Sequence, residues 1–166
     1  MASPLRLAKA LAFLVPAALL GGAYASQIWG GLVPCEMCWW QRYPHMAALA
    51  FALLALLAGR LPDRGRSFVW LAALAIAVSG GLGVYHAGVE LDLWEGFTQC
   101  TQTVTGESAA DLLTKMTEPS RMVRCDEAQW KDSLLHISLA GWNAILSLVS
   151  ALVILWLSLK RPRNPA

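Results

Sequence analysis

Charge is what this sequence has least of. Only 14% of its 166 residues are Asp, Glu, Lys or Arg, against 57% hydrophobic residues and a mean hydropathy of +0.49. A soluble domain carries about 25% charged residues, so the composition excludes a globule dissolved in water and points to lipid as the solvent. Internal repeats, low-complexity tracts and interdomain linkers are also missing, and a net charge of +2 gives no reason to expect a nucleic-acid partner. A bilayer core about 30 Å thick takes roughly 20 apolar residues per helix. Four stretches qualify, at 7–29, 39–58, 67–86 and 134–159. The expected fold is therefore an all-α membrane protein, a four-helix transmembrane bundle forming a single domain over 1–166. Its connectors are external loops at 30–38 and 87–133 and a cytoplasmic loop at 59–66.

The few charges are unevenly spread. Arg6 and Lys9 precede or open the first helix, Arg60, Arg64 and Arg66 lie between the second and third, and Lys160, Arg161 and Arg163 follow the fourth. Asp63 is the one acid in those segments, whereas 87–133 holds nine of the eleven acids. Cytoplasmic loops are the ones enriched in Lys and Arg, so both termini and the middle loop are expected in the cytoplasm. All four cysteines then fall on the extracytoplasmic side, where disulfides persist. Ala23-Tyr24-Ala25 imitates a signal-peptidase site. The apolar run continues past it to Trp29, longer than a usual signal core, and favours a retained spanning helix.

The first external connector ends in Pro34 and leads directly into Cys35-Glu36-Met37-Cys38, placing a Cys-x-x-Cys pair at the outer N-terminus of the second helix. Aromatic residues such as Trp29, Trp39, Trp94 and Trp142 gather near the outer boundaries, as an interfacial belt would. Ser79-Gly80-Gly81 and Gly83 provide small surfaces for close helix packing. In the second external loop, Ser108-Ala109-Ala110-Asp111 has the pattern of a capping box. Leu112, Leu113 and Met116 follow on one face, so a short amphipathic helix is expected there, on the membrane surface or against the bundle.

A thiolate at Cys38 would be favoured by the amide groups at the helix N-terminus. Arg42, one turn deeper on the same face, can add a fixed positive charge. A cation at that depth implies a task, although snorkelling of a long side chain to headgroups also accounts for it. Cys100 and Cys125 enclose a long segment that a disulfide could close, and such a pair can exchange with an external Cys-x-x-Cys by thiolate attack. A static pair of braces remains the competing reading. Structural zinc usually requires two close-spaced pairs, and only one is present, so no metal is expected. His86 sits at the outer end of the third helix near the depth of Arg42 and reads either as an interfacial residue or as part of the site, whereas His45 and His136 read as packing or interface residues.

Taken in order, several motifs resemble the DsbB (disulfide bond formation protein B) family of bacterial inner-membrane thiol oxidases. They are Cys35-x-x-Cys38 followed by Trp-Gln-Arg-Tyr-Pro, Tyr85-His86-Ala87-Gly88-Val89-Glu90, Val123-Arg124-Cys125-Asp126-Glu127, and Gly141-Trp142-Asn143. The resemblance implies an inner-membrane, multi-pass quinone-dependent thiol oxidase with its cysteine loops in the periplasm, supporting disulfide formation in exported proteins. It implies a DsbA-like periplasmic partner whose thiolate attacks Cys100. Cys125 then attacks Cys35 and releases Cys38, which passes electrons to ubiquinone or menaquinone beside Arg42 and near His86. Vitamin K epoxide reductase type enzymes also join four helices to cysteine pairs. Their Cys-x-x-Cys follows the loop cysteines, whereas here it precedes them.

Overall fold

The computed structural model describes residues 3–96 and 124–160. Its helices are α1 (Pro4–Ile28), α2 (Glu36–Leu57, with a 3-10 turn at Ala58–Arg60), α3 (Arg66–Glu90) and α4 (Leu139–Leu159). Among the described residues, four helices are long and apolar enough to cross a membrane. They form an all-α bundle, as the composition leads one to expect. The short helix expected after Ser108 lies outside the described residues, as does Cys100.

Each helix begins where its local chemistry satisfies the first free amides. Ser3 caps α1 ahead of Pro4, whose missing N–H costs nothing at that position. Cys35 caps α2, its sulfur accepting from the Cys38 amide at 3.3 Å. Before α3, the Asp63 carboxylate accepts from the amides of Gly65 and Ser67, each at 2.9 Å. These bonds, with the Ser67 hydroxyl contributing most, hold the Asp63 carboxyl down at about 2. Gly65 itself has φ +79, and a Cβ there would meet the Ala55 carbonyl at 2.7 Å, so the turn demands glycine.

The fourth helix starts at Leu139, later than the apolar run from 134 suggests. Asp132 is the reason. Its carboxylate accepts from the amides of Leu134, Leu135 and Ile137 and from the Trp142 indole, winding 132–137 into a turn before Ser138 caps the helix. Hydropathy registers Leu134 and Leu135, both exposed, but not the carboxylate that unwinds them. Similarly, α3 runs on to Glu90, into what the sequence reading assigns to the loop.

The core divides into two parts. Towards the end carrying the 58–65 turn, fully buried Ala8, Ala12, Ala48, Ala52, Ala72 and Ala73 surround Val69, Ile76 and Ile154. Towards the cysteine end the buried side chains include Gln41, Arg42, His45, Ser79, His86 and Ser147. At Gly83 a Cβ would lie 3.0 Å from both the Ala140 carbonyl and the Ala144 amide, so α3 and α4 approach backbone to backbone there. Leu14, Leu74, Leu152 and Trp156 project outward, as a lipid-facing surface requires.

Candidate redox site

Cys35 and Cys38 are free thiols with sulfurs 2.9 Å apart. Cys35 is 3% exposed. Its hydrogen bond with Cys38, reinforced by burial, pushes the Cys35 thiol up. Cys38 lies in the first turn of α2, where exposed amides favour an anion.

Arg42 is buried within the bundle instead of reaching outward. It donates to the Gln27 side-chain oxygen at 2.9 Å and to the Ala23 carbonyl at 3.2 Å. The guanidinium carbon sits 4.7 Å from the Tyr24 ring centre and 4.8 Å from that of Trp39. Aromatic faces and oxygen acceptors together replace the hydration that a cation loses on burial. This placement removes the snorkelling reading.

His86, 3% exposed, turns Nε2 towards Cys35 Sγ at 3.7 Å and Glu90 Oε1 at 3.7 Å. Its Nδ1 is 2.7 Å from the Gln41 side-chain nitrogen, and the ring also lies against the Cys125 backbone carbonyl. The lone Glu90 Oε2 is buried without a hydrogen-bond partner. His45, read as a packing or interface residue, has its Nε2 2.9 Å from Asn143 Oδ1.

Cys125 is disulfide-bonded and 1% exposed, in one buried cluster with Cys35, Met37 and Val89. Gln129 holds the two segments together: its amide donates to the Val33 carbonyl at 2.7 Å and accepts from the Val33 amide at 3.0 Å. The structure thus brings Cys35, Cys38, Arg42, His86 and Cys125 to one end of the bundle. Gln41, Glu90, Gln129 and Asn143 line the same cavity, Glu90 one helical turn from His86 and the other three singled out by no spacing rule. The donor atoms of Cys35, Cys38 and His86 all lie within 4.8 Å of one another, a potential set of metal ligands that the cysteine spacing does not reveal.

A cavity of about 350 Å³ opens beside these groups. Its walls combine Ala18, Leu20 and Leu146 with Cys38, Arg42 and His86, which suits a small ligand with an apolar body and a polar end.

The chain matches the family described as "Disulfide bond formation protein DsbB" over residues 5–157. Curated relatives named "Disulfide bond formation protein B" include one from Marinobacter nauticus, 29% identical over 164 residues and covering 93% of each chain. Another, from Aromatoleum aromaticum, is 30% identical over 154 residues and covers 90% of each. A third, from Xanthomonas euvesicatoria, is 27% identical over 157 residues, covering 93% of this chain and 90% of its own. No solved structure matches. Four apolar spans, a thiol pair capping one of them and a match along almost the whole chain lead to one conclusion: this protein belongs to the DsbB family of disulfide-forming membrane oxidoreductases.

Proposed function

We propose that this protein reoxidises a DsbA-like periplasmic dithiol protein and delivers the electrons to membrane quinone through its four cysteines. The observation that carries this reading is the Cys35–Cys38 thiol pair on the wall of the same cavity as Arg42 and His86, with disulfide-bonded Cys125 packed in the Cys35 cluster. The charge distribution supports both termini cytoplasmic and the cysteines periplasmic, and the family resemblance supports the inner membrane.

The chain of exchanges balances as follows. The partner's thiolate attacks Cys100 of a Cys100–Cys125 disulfide, forming a mixed disulfide and expelling Cys125 as thiolate. Cys125 attacks Cys35 of a Cys35–Cys38 disulfide and expels Cys38. The partner's second thiolate displaces Cys100, leaving the partner oxidised. Cys100 then attacks Cys125, which restores the outer disulfide and leaves Cys35 and Cys38 reduced.

A quinone supplies a two-electron, two-proton sink, so that the net reaction is partner dithiol plus quinone giving partner disulfide plus quinol. The residues suit that task. The walls of α1 and α4 accept an apolar ring and tail, and Arg42 places a fixed cation where negative charge develops. The α2 amides and Arg42 stabilise Cys38 as the thiolate that faces the acceptor. The test is turnover of a reduced thioredoxin-fold partner by purified protein with ubiquinone or menaquinone. Wild type should oxidise the partner and Cys38→Ser should not; undiminished turnover in that variant would refute the scheme.

A further inference from the structure

The buried polar side chains form one hydrogen-bonded chain whose direction can be read from fixed backbone acceptors. One amide atom of Asn143 lies 3.2 Å from the Ser79 carbonyl, which only accepts, so that atom is Nδ2. Oδ1 then accepts from His45 Nε2 at 2.9 Å and from the Ser147 hydroxyl at 3.1 Å. Asn143 Nδ2 also reaches Gln41 at 2.8 Å, so Gln41 presents Oε1 on that side. The far side of Gln41 gives an independent check, because its other amide atom is 3.2 Å from the Met37 carbonyl and has to be the donor Nε2.

That same Gln41 Nε2 lies 2.7 Å from His86 Nδ1. Facing a donor, Nδ1 offers its lone pair. A neutral imidazole then carries its proton on Nε2, the nitrogen turned towards Cys35 Sγ and Glu90 Oε1. We propose that Asn143 and Gln41 are a positioning pair that fixes His86 as the Nε2–H tautomer, a neutral donor on the side of Cys35 and the adjoining cavity that holds an electron acceptor, with the Cys125 backbone carbonyl competing for the ring N–H. The part about the acceptor rests on the proposed relay; the tautomer does not.

The arrangement also decides the fate of the thiol-imidazole cluster. Cys35, Cys38 and His86 are close enough to share a soft cation, but a metal needs the Nε2 lone pair, and here a proton occupies it. Asn143 thereby keeps a dithiol that is repeatedly reduced from becoming a metal trap. It acts on a histidine that it does not touch, through the Gln41 amide.

Two near-isosteric substitutions break the chain at different links. Gln41→Glu sets a carboxylate acceptor against Nδ1, which draws the proton to that nitrogen. Asn143→Asp replaces the donor facing Gln41 with a charged acceptor, whose repulsion of Oε1 outweighs that of the neutral Met37 carbonyl on the other side, so the Gln41 amide turns over and its oxygen meets Nδ1 instead. The experiment is nitrogen NMR of the imidazoles in the full-length, fully reduced protein in detergent at pH 8, with the His86 signals assigned by their loss in His86→Asn. Wild type should show His86 protonated at Nε2 and bare at Nδ1, and both variants should show Nδ1 protonated. Wild-type protonation at Nδ1, or an unchanged pattern in either folded variant, would overturn the proposal. Cobalt(II) titration gives a second readout: reduced Gln41→Glu should bind about tenfold more tightly than wild type, the scale on which groups behind a ligand tune affinity, and equal affinity would count against it. Neither readout needs quinone or a partner, so failure here is distinguishable from failure of the oxidoreductase reading.

Discussion

Where the bundle carries the 58–65 turn, the helices meet through buried alanines, whereas at the cysteine end they meet through Gln41, Ser79, His86, Asn143 and their hydrogen bonds. The difference separates what holds the bundle together from what it does. In lipid, close packing of small residues drives helix association, while side-chain hydrogen bonds between helices average only about 0.6 kcal/mol. So small a gain per bond does not explain why two histidines, an arginine and the Gln41 amide are buried together beside half-buried Asn143. The proposed chemistry at the thiol pair would.

The comparison breaks most visibly at the thiols. Cys38→Ser should lower quinone-dependent oxidation of the partner by at least about a thousandfold, since a hydroxyl cannot replace the exchanging sulfur, while thermal unfolding stays near that of wild type. Next comes Arg42→Met, which removes the bonds to Gln27 and Ala23 together with the charge. A hydrogen bond to a charged group is worth about 1.5–3 kcal/mol, so losing the one the guanidinium would offer to quinone should raise the quinone concentration giving half-maximal rate at least about tenfold, read from initial rates against quinone.

The alanine end should respond in the opposite way. Ala72 is fully buried, and Ala72→Leu should cost about 1–3 kcal/mol of stability by overpacking, measured by denaturant or thermal unfolding in detergent. Turnover per folded molecule should stay unchanged. A loss of turnover without a loss of stability would contradict the division of labour.

The smallest effect concerns the turn before α4. Asp132 has its carboxyl lowered to about 2, first by the Leu135 amide and further by those of Ile137 and Leu134 and by the Trp142 indole. A carboxyl lowered on folding stabilises above its unfolded value of about 3.9, and that stabilisation is lost as pH falls through about 2. Asp132→Asn should therefore lower the melting temperature modestly at pH 7 and make little difference near pH 2. Equal melting temperatures at both pH values would argue against the Asp132 capping role.

These positions also show what the sequence discloses. Lys and Arg clustering, apolar runs and the Cys-x-x-Cys at a helix start are local patterns, and the four spans and the cysteine motif are legible from them. Asp132 was not, because the carboxylate organises a turn inside an apolar run that hydropathy counts as helix. Gln41, Gln129 and Asn143 were missed for another reason. Gln41 meets Asn143 across 102 residues of sequence and Val33 meets Gln129 across 96, pairings that no short spacing encodes. Asn143 stands within a motif that carries the family resemblance, but only the bundle shows what its amide faces.

The central claim, that the Cys35–Cys38 pair itself gives its electrons to quinone, is tested most directly with the outer pair removed. In a fully reduced Cys100→Ser/Cys125→Ser variant kept free of oxygen, quinone should convert Cys35 and Cys38 to a disulfide with one quinol formed per protein molecule, counted by thiol mass mapping and absorbance. Retention of both thiols in the presence of excess quinone would contradict the account.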